Sequence, residues 1–288
     1  MIIDSHAHYA HKRFEGEFPY LNDQNGSYTI ERANREALFA QMYQEGIVGT
    51  VEPSIGFDQI ENQLALSSEA PLRIWQAVGV HPTRCIDTPW KNRKKVSAYA
   101  EACSPVAIGE TGLDFHHSRE KQHRLRQLLW FFHHLRLADR LQLPLILHIR
   151  KADRYALPIL KRYRSRLHGG VVHCFSGDPA TAEAYISLGF ALGIGAKLLC
   201  HDEQANDLCE TVKRVPLCAL LAETDAPYVL PEREDVPCDS KKQYEKLRNS
   251  SLILPAVIRK IAELRGEAYE TVEHAVYENT VRVFRLQI

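Results

Sequence analysis

Met1-Ile2-Ile3-Asp4-Ser5-His6-Ala7-His8 opens the chain. Its first three residues are an apolar run of the kind that forms a short buried strand. Two imidazoles follow where a dinucleotide-binding sheet would carry a glycine-rich turn. In extended backbone alternate side chains share a face, so His6 and His8 point the same way and can hold one cation between them. Such a pair is part of a metal site, and its partners must come from elsewhere in the chain.

Similar apolar runs recur at 47–51, 75–80, 106–109, 145–147, 170–172, 190–193 and 218–221, which with 1–3 predicts eight strands. Runs apolar on both faces, alternating with helical segments, indicate a parallel sheet. The clearest helical segment is 119–141, where Leu125, Leu128, Leu129, Phe132, Leu135 and Leu137 interleave with Arg, Lys and Gln. Eight strand–helix units predict an α/β protein of the (β/α)8 TIM barrel type, with residues 1–288 forming a single domain. A doubly wound open sheet is the competing architecture. Two connections are long: 14–28, which carries Gly16, Pro19, Asn25 and Gly26, and the charged 231–248. Both are expected to rise over the catalytic face of the barrel.

The 288 residues are 45% hydrophobic and 25% charged, and Lys plus Arg equals Asp plus Glu at 36 each, so no net field draws in a polyanion or a membrane surface. Any nucleic-acid contact is therefore local. Seven scattered cysteines with no C-x-x-C pair suit free thiols in a reducing compartment, and a cytoplasmic protein is expected. No signal peptide precedes Asp4, so the mature chain is expected to begin at Met1. No run is apolar enough to span a bilayer.

The strand ends carry the chemistry. His6 and His8 follow the first run, His81 the third, Glu110 the fourth, His148 the fifth, His173 the sixth and Asp225 the eighth. On a barrel these positions converge on one rim. Any one of them alone could be an ordinary hydrogen-bonded loop residue; together they read as an assembled site. His6, His8, His148, His173, Glu110 and Asp225 are more donors than one tetrahedral zinc takes, and imidazole with carboxylate suits Zn, Mn, Ni, Co or Fe better than Ca. Two divalent ions sharing a carboxylate is the economical arrangement, with a hydroxide between ions about 3.5–4 Å apart as the usual nucleophile toward phosphate esters or amides. The pairs His116-His117, His133-His134 and Cys200-His201 are assigned no metal, and the basic clusters at 91–95 and 161–166 are read as solvated helix faces.

Asp4-Ser5-His6-Ala7-His8, Gly79-Val80-His81-Pro82, Gly109-Glu110-Thr111-Gly112-Leu113-Asp114, His148-Ile149-Arg150, His173-Cys174-Phe175-Ser176-Gly177 and Glu223-Thr224-Asp225-Ala226-Pro227-Tyr228 stand in a telling order. In order and approximate spacing the set resembles the TatD-like metal-dependent deoxyribonucleases over nearly the whole chain. Arg248-Asn249 and Asn279-Thr280-Val281-Arg282-Val283-Phe284 resemble that family's ending. The resemblance implies a metal-dependent hydrolase barrel with His6, His8 and Asp225 on one ion, His148 and His173 on a second, and Glu110 bridging where many related amidohydrolases use a carboxylated lysine. It further implies Asp225 as proton acceptor for the attacking water, and His81 and Arg150 as contacts to the substrate phosphate.

The expected substrate is DNA, single-stranded or at strand ends, cut by a monomer without a stable protein partner or membrane. The ions could be Zn, Mg, Mn, Ni or Co. The chain departs from the family at Thr83, where a second His often follows Pro82. Two other readings stay open: an amidohydrolase or deacylase acting on a small molecule or an aminoacyl-tRNA, and a metal-binding protein without turnover.

Overall fold

The computed structural model describes residues 1–56, 59–69, 71–118 and 120–288, without the side chains of 64 and 67–69. In chain order its strands are β1 (Ile2–Asp4), β2 (Phe18–Gln24), β3 (Ser27–Ala33), β4 (Ile47–Pro53), β5 (Arg73–Val78), β6 (Ala107–Asp114), β7 (Leu145–Arg150), β8 (Gly170–Val172), β9 (Phe190–Ile194) and β10 (Leu220–Ala222). The α-helices are α1 (Arg35–Gln44), α2 (Ile60–Glu69), α3 (Arg93–Cys103), α4 (Lys121–Leu141), α5 (Asp153–Tyr163), α6 (Pro179–Ile186), α7 (Glu203–Arg214), α8 (Lys241–Lys246), α9 (Leu254–Arg265) and α10 (Tyr269–Phe284). The helix expected over 119–141 is α4; Arg119 lies outside the described residues.

All eight expected strands form, and they pair in parallel in the order β1-β4-β5-β6-β7-β8-β9-β10. The sheet closes just past its last formal pairs, where Ser5 N–H donates to Ala222 O at 3.0 Å and Ala7 bridges Ala226 in parallel. This is the (β/α)8 barrel. One residue from each strand, from Ile3 through Ala107 and Ile146 to Leu221, joins a single apolar cluster inside the barrel, and Tyr277 and Phe284 of α10 pack into it. Because side chains alternate along a strand, His148 and His173 sit on this same inner face, two residues beyond Ile146 and Val171. The alternation thus carries the imidazoles from packed core to rim. No helix among the described residues is long and apolar enough to cross a membrane.

The stretch 14–28 corrects an expectation. It is not a plain loop but a one-turn helix (Lys12–Phe14) followed by most of the β2–β3 antiparallel ribbon. Asn25 (φ 55°) and Gly26 (φ 98°) both adopt positive φ between the paired Gln24 and Ser27, which is the two-residue turn that matches strand twist. The ribbon is tied down beside the barrel by Leu21 N–H to Arg248 O (3.0 Å), Arg248 N–H to Pro19 O (2.9 Å) and the Asp23–Arg259 ion pair at 3.1 Å. The second long connection is also more ordered than expected. It contains α8, and its Val236 and Leu247 pack with Leu21 of the ribbon in a small satellite core.

Candidate metal centre

Four imidazoles and two carboxylates converge at the carboxyl ends of the barrel strands. His6 Nε2 and His8 Nε2 lie 3.1 Å apart, and Asp225 Oδ1 stands 3.6 and 3.3 Å from them. His148 Nδ1 and His173 Nε2 lie 3.0 Å apart. Between the two pairs is the buried Glu110. Its Oε2 faces His6 and His8 at 3.5 and 3.6 Å, and its Oε1 faces His148 and His173 at 2.9 and 2.7 Å. His81 Nε2 reaches the same Oε1 at 3.3 Å. Three overlapping groups, His6-His8-Asp225, His6-Glu110-His173 and His81-Glu110-His148, each have ligand atoms close enough to hold a metal ion.

A surrounding shell fixes which ring nitrogens face inward. Pro53 O sits 3.1 Å from His8 Nδ1 and can only accept, so His8 keeps a proton on Nδ1 and Nε2 is the nitrogen that can take an ion at the centre. Asp114 Oδ2 does the same for His148 from the opposite edge, 3.3 Å from Nε2, leaving Nδ1 bare. Glu223 Oε1 accepts the Cys174 N–H and faces His173 Nδ1 at 3.7 Å. With their outer nitrogens turned to acceptors, His8 and His148 can each present an inner nitrogen to a cation beside Glu110 and Asp225, so this donor set fits a metal.

The charges compensate one another. Burial pushes the Glu110 carboxyl up, but His173, His81 and His148 hold it well below the usual glutamate range. Burial pushes His8 down, and Asp225 and Glu110 more than offset this, lifting it to about 8. His173 is likewise depressed by burial and raised well above the usual histidine value by Glu110 and Glu223.

Some members of the site were not anticipated from strand ends. Asp114 and Glu223 lie within motifs already noted, but their work depends on partners far away in sequence. Glu52, hidden beside the apolar run of β4, accepts the N–H groups of Tyr9 (2.7 Å) and Ala10 (2.9 Å) and so pins the His6–His8 segment. β9 contributes no ionisable side chain; it has Gly193, where a Cβ would lie 1.9 Å from Glu223 Oε2, so only glycine leaves room for the carboxylate that faces His173. Arg150 is exposed and lines a cleft of about 580 Å³ beside His148 and His173, together with Lys151 and Lys197. It touches none of the cluster's ligand atoms among the described residues. Among the described residues that line this cleft, none belongs to 14–28 or 231–248. Of the pairs assigned no metal, His134 is buried on Thr111 Oγ1 at 2.8 Å and His201 faces Asp235 at 3.3 Å.

Asp114→Asn replaces the acceptor facing His148 Nε2 by a group that can donate toward it. Metal affinity is expected to fall about 10–100-fold, read by competition with a chelator of known affinity. Unchanged affinity would mean that Asp114 only holds the His116-His117 backbone, whose N–H groups it accepts at 3.0 and 2.8 Å.

A (β/α)8 barrel with imidazoles and carboxylates gathered at its strand ends has the arrangement of the metal-dependent hydrolases. Residues 3–285 match the family described as TatD related DNase. A protein of Yersinia pseudotuberculosis named 3′-5′ ssDNA/RNA exonuclease TatD is 32% identical over 243 residues, covering 84% of this chain and 90% of its own length. A Pantoea protein of the same name is 34% identical over 255 residues, covering 88% and 94%. The crystal structure of YJJV, a TatD homologue from Escherichia coli K12, matches with a TM-score of 0.81 at 26% identity, covering 99% of this chain and 98% of that one. The chain belongs to the TatD related DNase family.

Proposed function

We propose that this chain is a two-metal exonuclease that shortens single-stranded DNA or RNA from a 3′ end, acting as one domain over residues 1–288. The observation that carries the reading is the two-sided Glu110, whose separate oxygens face His6 and His8 on one side and His148 and His173 on the other. One ion would be held by His6, His8 and Asp225, a second by His148 and His173, with Glu110 shared. Zn, Mn, Co, Ni and Mg all suit these donors. The bound ions would supply positive charge to the phosphodiester and make an attacking water more acidic.

Asp225 would accept the proton of that water. Its Oδ1 faces the imidazoles, while Oδ2 meets no donor among the described residues and the side chain borders the cleft. Arg150, Lys151 and Lys197 line the cleft with positive charge for the phosphates that follow the scissile one. A cleft of about 580 Å³ is the size of a small-ligand site, which suits a strand end better than a duplex. The centre is complete within one chain, which supports a monomer, and seven free cysteines support a reducing, cytoplasmic setting. Family membership and the intact Glu110 and Asp225 disfavour an amide-cleaving enzyme and a metal binder without turnover.

The test is the purified protein with Mn or Mg and a single-stranded oligonucleotide labelled at its 5′ end. Products shortened one nucleotide at a time support the reading; intact DNA beside a cleaved ester or amide would sink it. Removing the ions with a chelator should stop the reaction and lower the melting temperature by several degrees, since a ligand at about 1,000 times its Kd adds about 4 kcal/mol to stability. Re-added metal should restore both.

Tyr228 offers a place for the terminal base. Its ring is 37% exposed, 6.4 Å from the His8 ring, with the Arg13 guanidinium 5.6 Å from its centroid and its hydroxyl 3.2 Å from His11 Nε2. Stacking of one base on an aromatic side chain is worth about 1–3 kcal/mol, so Tyr228→Ala is expected to raise KM about tenfold. An unchanged KM in steady-state kinetics would remove Tyr228 from the binding surface.

A further inference from the structure

The chain carries no net charge, yet three cations gather beside the centre without an acid among them. Lys12 and Arg13 lie in the one-turn helix that follows the His6–His8 segment, and Arg248 ends the long connection after β10. Arg248 Nε donates to Arg13 O at 2.9 Å, which sets the two arginines side by side. Their other side-chain hydrogen bonds also go to backbone carbonyls: Arg13 donates to Leu247 O at 2.8 Å and Pro227 O at 3.4 Å, and Arg248 to Lys246 O. A carbonyl holds a guanidinium in place without neutralising it. Neither arginine nor the exposed Lys12 meets a carboxylate among the described residues, whereas Arg265 is paired with Glu267, Lys213 with Glu210 and Arg140 with Glu101. Burial, and then the Arg13 charge, pull Arg248 below the usual arginine range. Like charges held together half-buried are costly, and an anion between them removes the cost.

The three stand on the His6–His8–Asp225 side of the centre, and Tyr228 joins them to it. Its ring is 6.4 Å from the His8 ring, and the Arg13 guanidinium lies over it at 5.6 Å. The cleft lies on the other side, bordered by residues at and after the ends of β6 to β10, and none of the three cations lines it. A strand that lies in the cleft and stacks its last base on Tyr228 therefore brings its 3′ position toward Arg13. We propose that Lys12, Arg13 and Arg248 form a site for a phosphate monoester, and that the protein takes strands ending in a 3′-phosphate in preference to a 3′-hydroxyl. The anion site follows from three uncompensated cations; that its anion is the end of a strand rests on the exonuclease reading. A monoester carries about 1.5–2 negative charges near pH 7, and a hydroxyl carries none. Guanidinium groups already held by carbonyls lose little freedom in meeting it.

The test uses two single strands with a 5′ fluorescein label, identical except for a 3′-phosphate or a 3′-hydroxyl, and the metal-loaded enzyme. The 3′-phosphate strand should show a kcat/KM about 10–100-fold higher, mainly through KM. Lys12 is exposed and its side chain makes no hydrogen bond among the described residues, so Lys12→Ala should fold normally and shrink that ratio several-fold. Lys12→Glu should shrink it further, and Arg13→Gln, which keeps a donor toward Leu247 O, should bring it near one. Fluorescence anisotropy of the same strands reads the preference without turnover. On the 3′-phosphate strand Lys12→Ala should make the dependence of log affinity on log salt shallower by about 0.7. Inorganic phosphate should displace the 3′-phosphate strand selectively; equal displacement of both would place the anion at the metals and overturn the assignment. Equal affinity for the two ends, or a ratio that neither Lys12→Glu nor Arg13→Gln moves, would overturn it as well and leave the exonuclease reading standing. Tighter binding of the 3′-phosphate strand with neither strand cut would sustain the anion site and overturn the exonuclease reading instead.

Discussion

Glu110→Gln is expected to leave the barrel folded, to lose divalent metal and to lower kcat by about 10³-fold. The side chain keeps its shape, so packing is undisturbed; its chemistry at the centre is reversed. Glu110 Oε1 is within 2.9 Å of His148 Nδ1 and 2.7 Å of His173 Nε2, and Oε2 faces the His6–His8 pair. An amide has one oxygen for these two positions. Its NH2 end would donate to bare ring nitrogens, occupying their lone pairs and removing the negative charge that makes a second cation tolerable beside the first. Elemental analysis of the variant, with melting curves as a check on folding, measures the effect. Full metal content with undiminished turnover would show that Glu110 bridges nothing.

Asp225→Asn should separate binding from proton transfer. Its backbone sits at φ 56°, a left-handed conformation that Asn tolerates better than Ala, so the substitution spares the local geometry. That geometry is held by Asp225 N–H to His6 O at 2.9 Å and Tyr228 N–H to Asp225 O at 2.8 Å. The amide oxygen can still face His6 and His8, so the metal content should drop less than in Glu110→Gln. An amide cannot accept a proton from water near neutral pH, and kcat should fall by about 10²–10⁴-fold, the usual worth of a general base. Single-turnover cleavage at saturating metal reads that step directly. If it proceeds at the unaltered rate, the base is elsewhere.

The barrel was legible because its eight strands are buried on both faces and so stand out as apolar runs, and the metal centre because ionisable residues end six of them. What was not legible depended on contacts that one-dimensional pattern does not carry. The β2–β3 ribbon had its turn signal in plain view at Asn25-Gly26, but Phe18–Gln24 is buried along nearly its whole length and Ser27–Ala33 only half-buried, so neither strand shows the alternation that marks a one-faced strand. Asp114 and Glu223 could be seen as motif residues but not as the groups that turn His148 and His173, because the imidazoles they face are about thirty to fifty residues distant. Gly193 shows the same limit in reverse: a missing side chain on β9 matters only once Glu223 is known to need its space.

The seam where β10 meets β1 has a consequence for how the protein is made. His6 lies on one side of it and Asp225 on the other, and the backbone bond between them is part of the closure. During synthesis the early strands emerge long before Leu220–Ala222 and the segment bearing Asp225 exist. A partly made chain therefore has an open sheet and lacks Asp225, so the proposed ligand set would still be incomplete. On the proposed assignment the centre spans the joint between first and last strand, so it would be assembled only when the barrel closes.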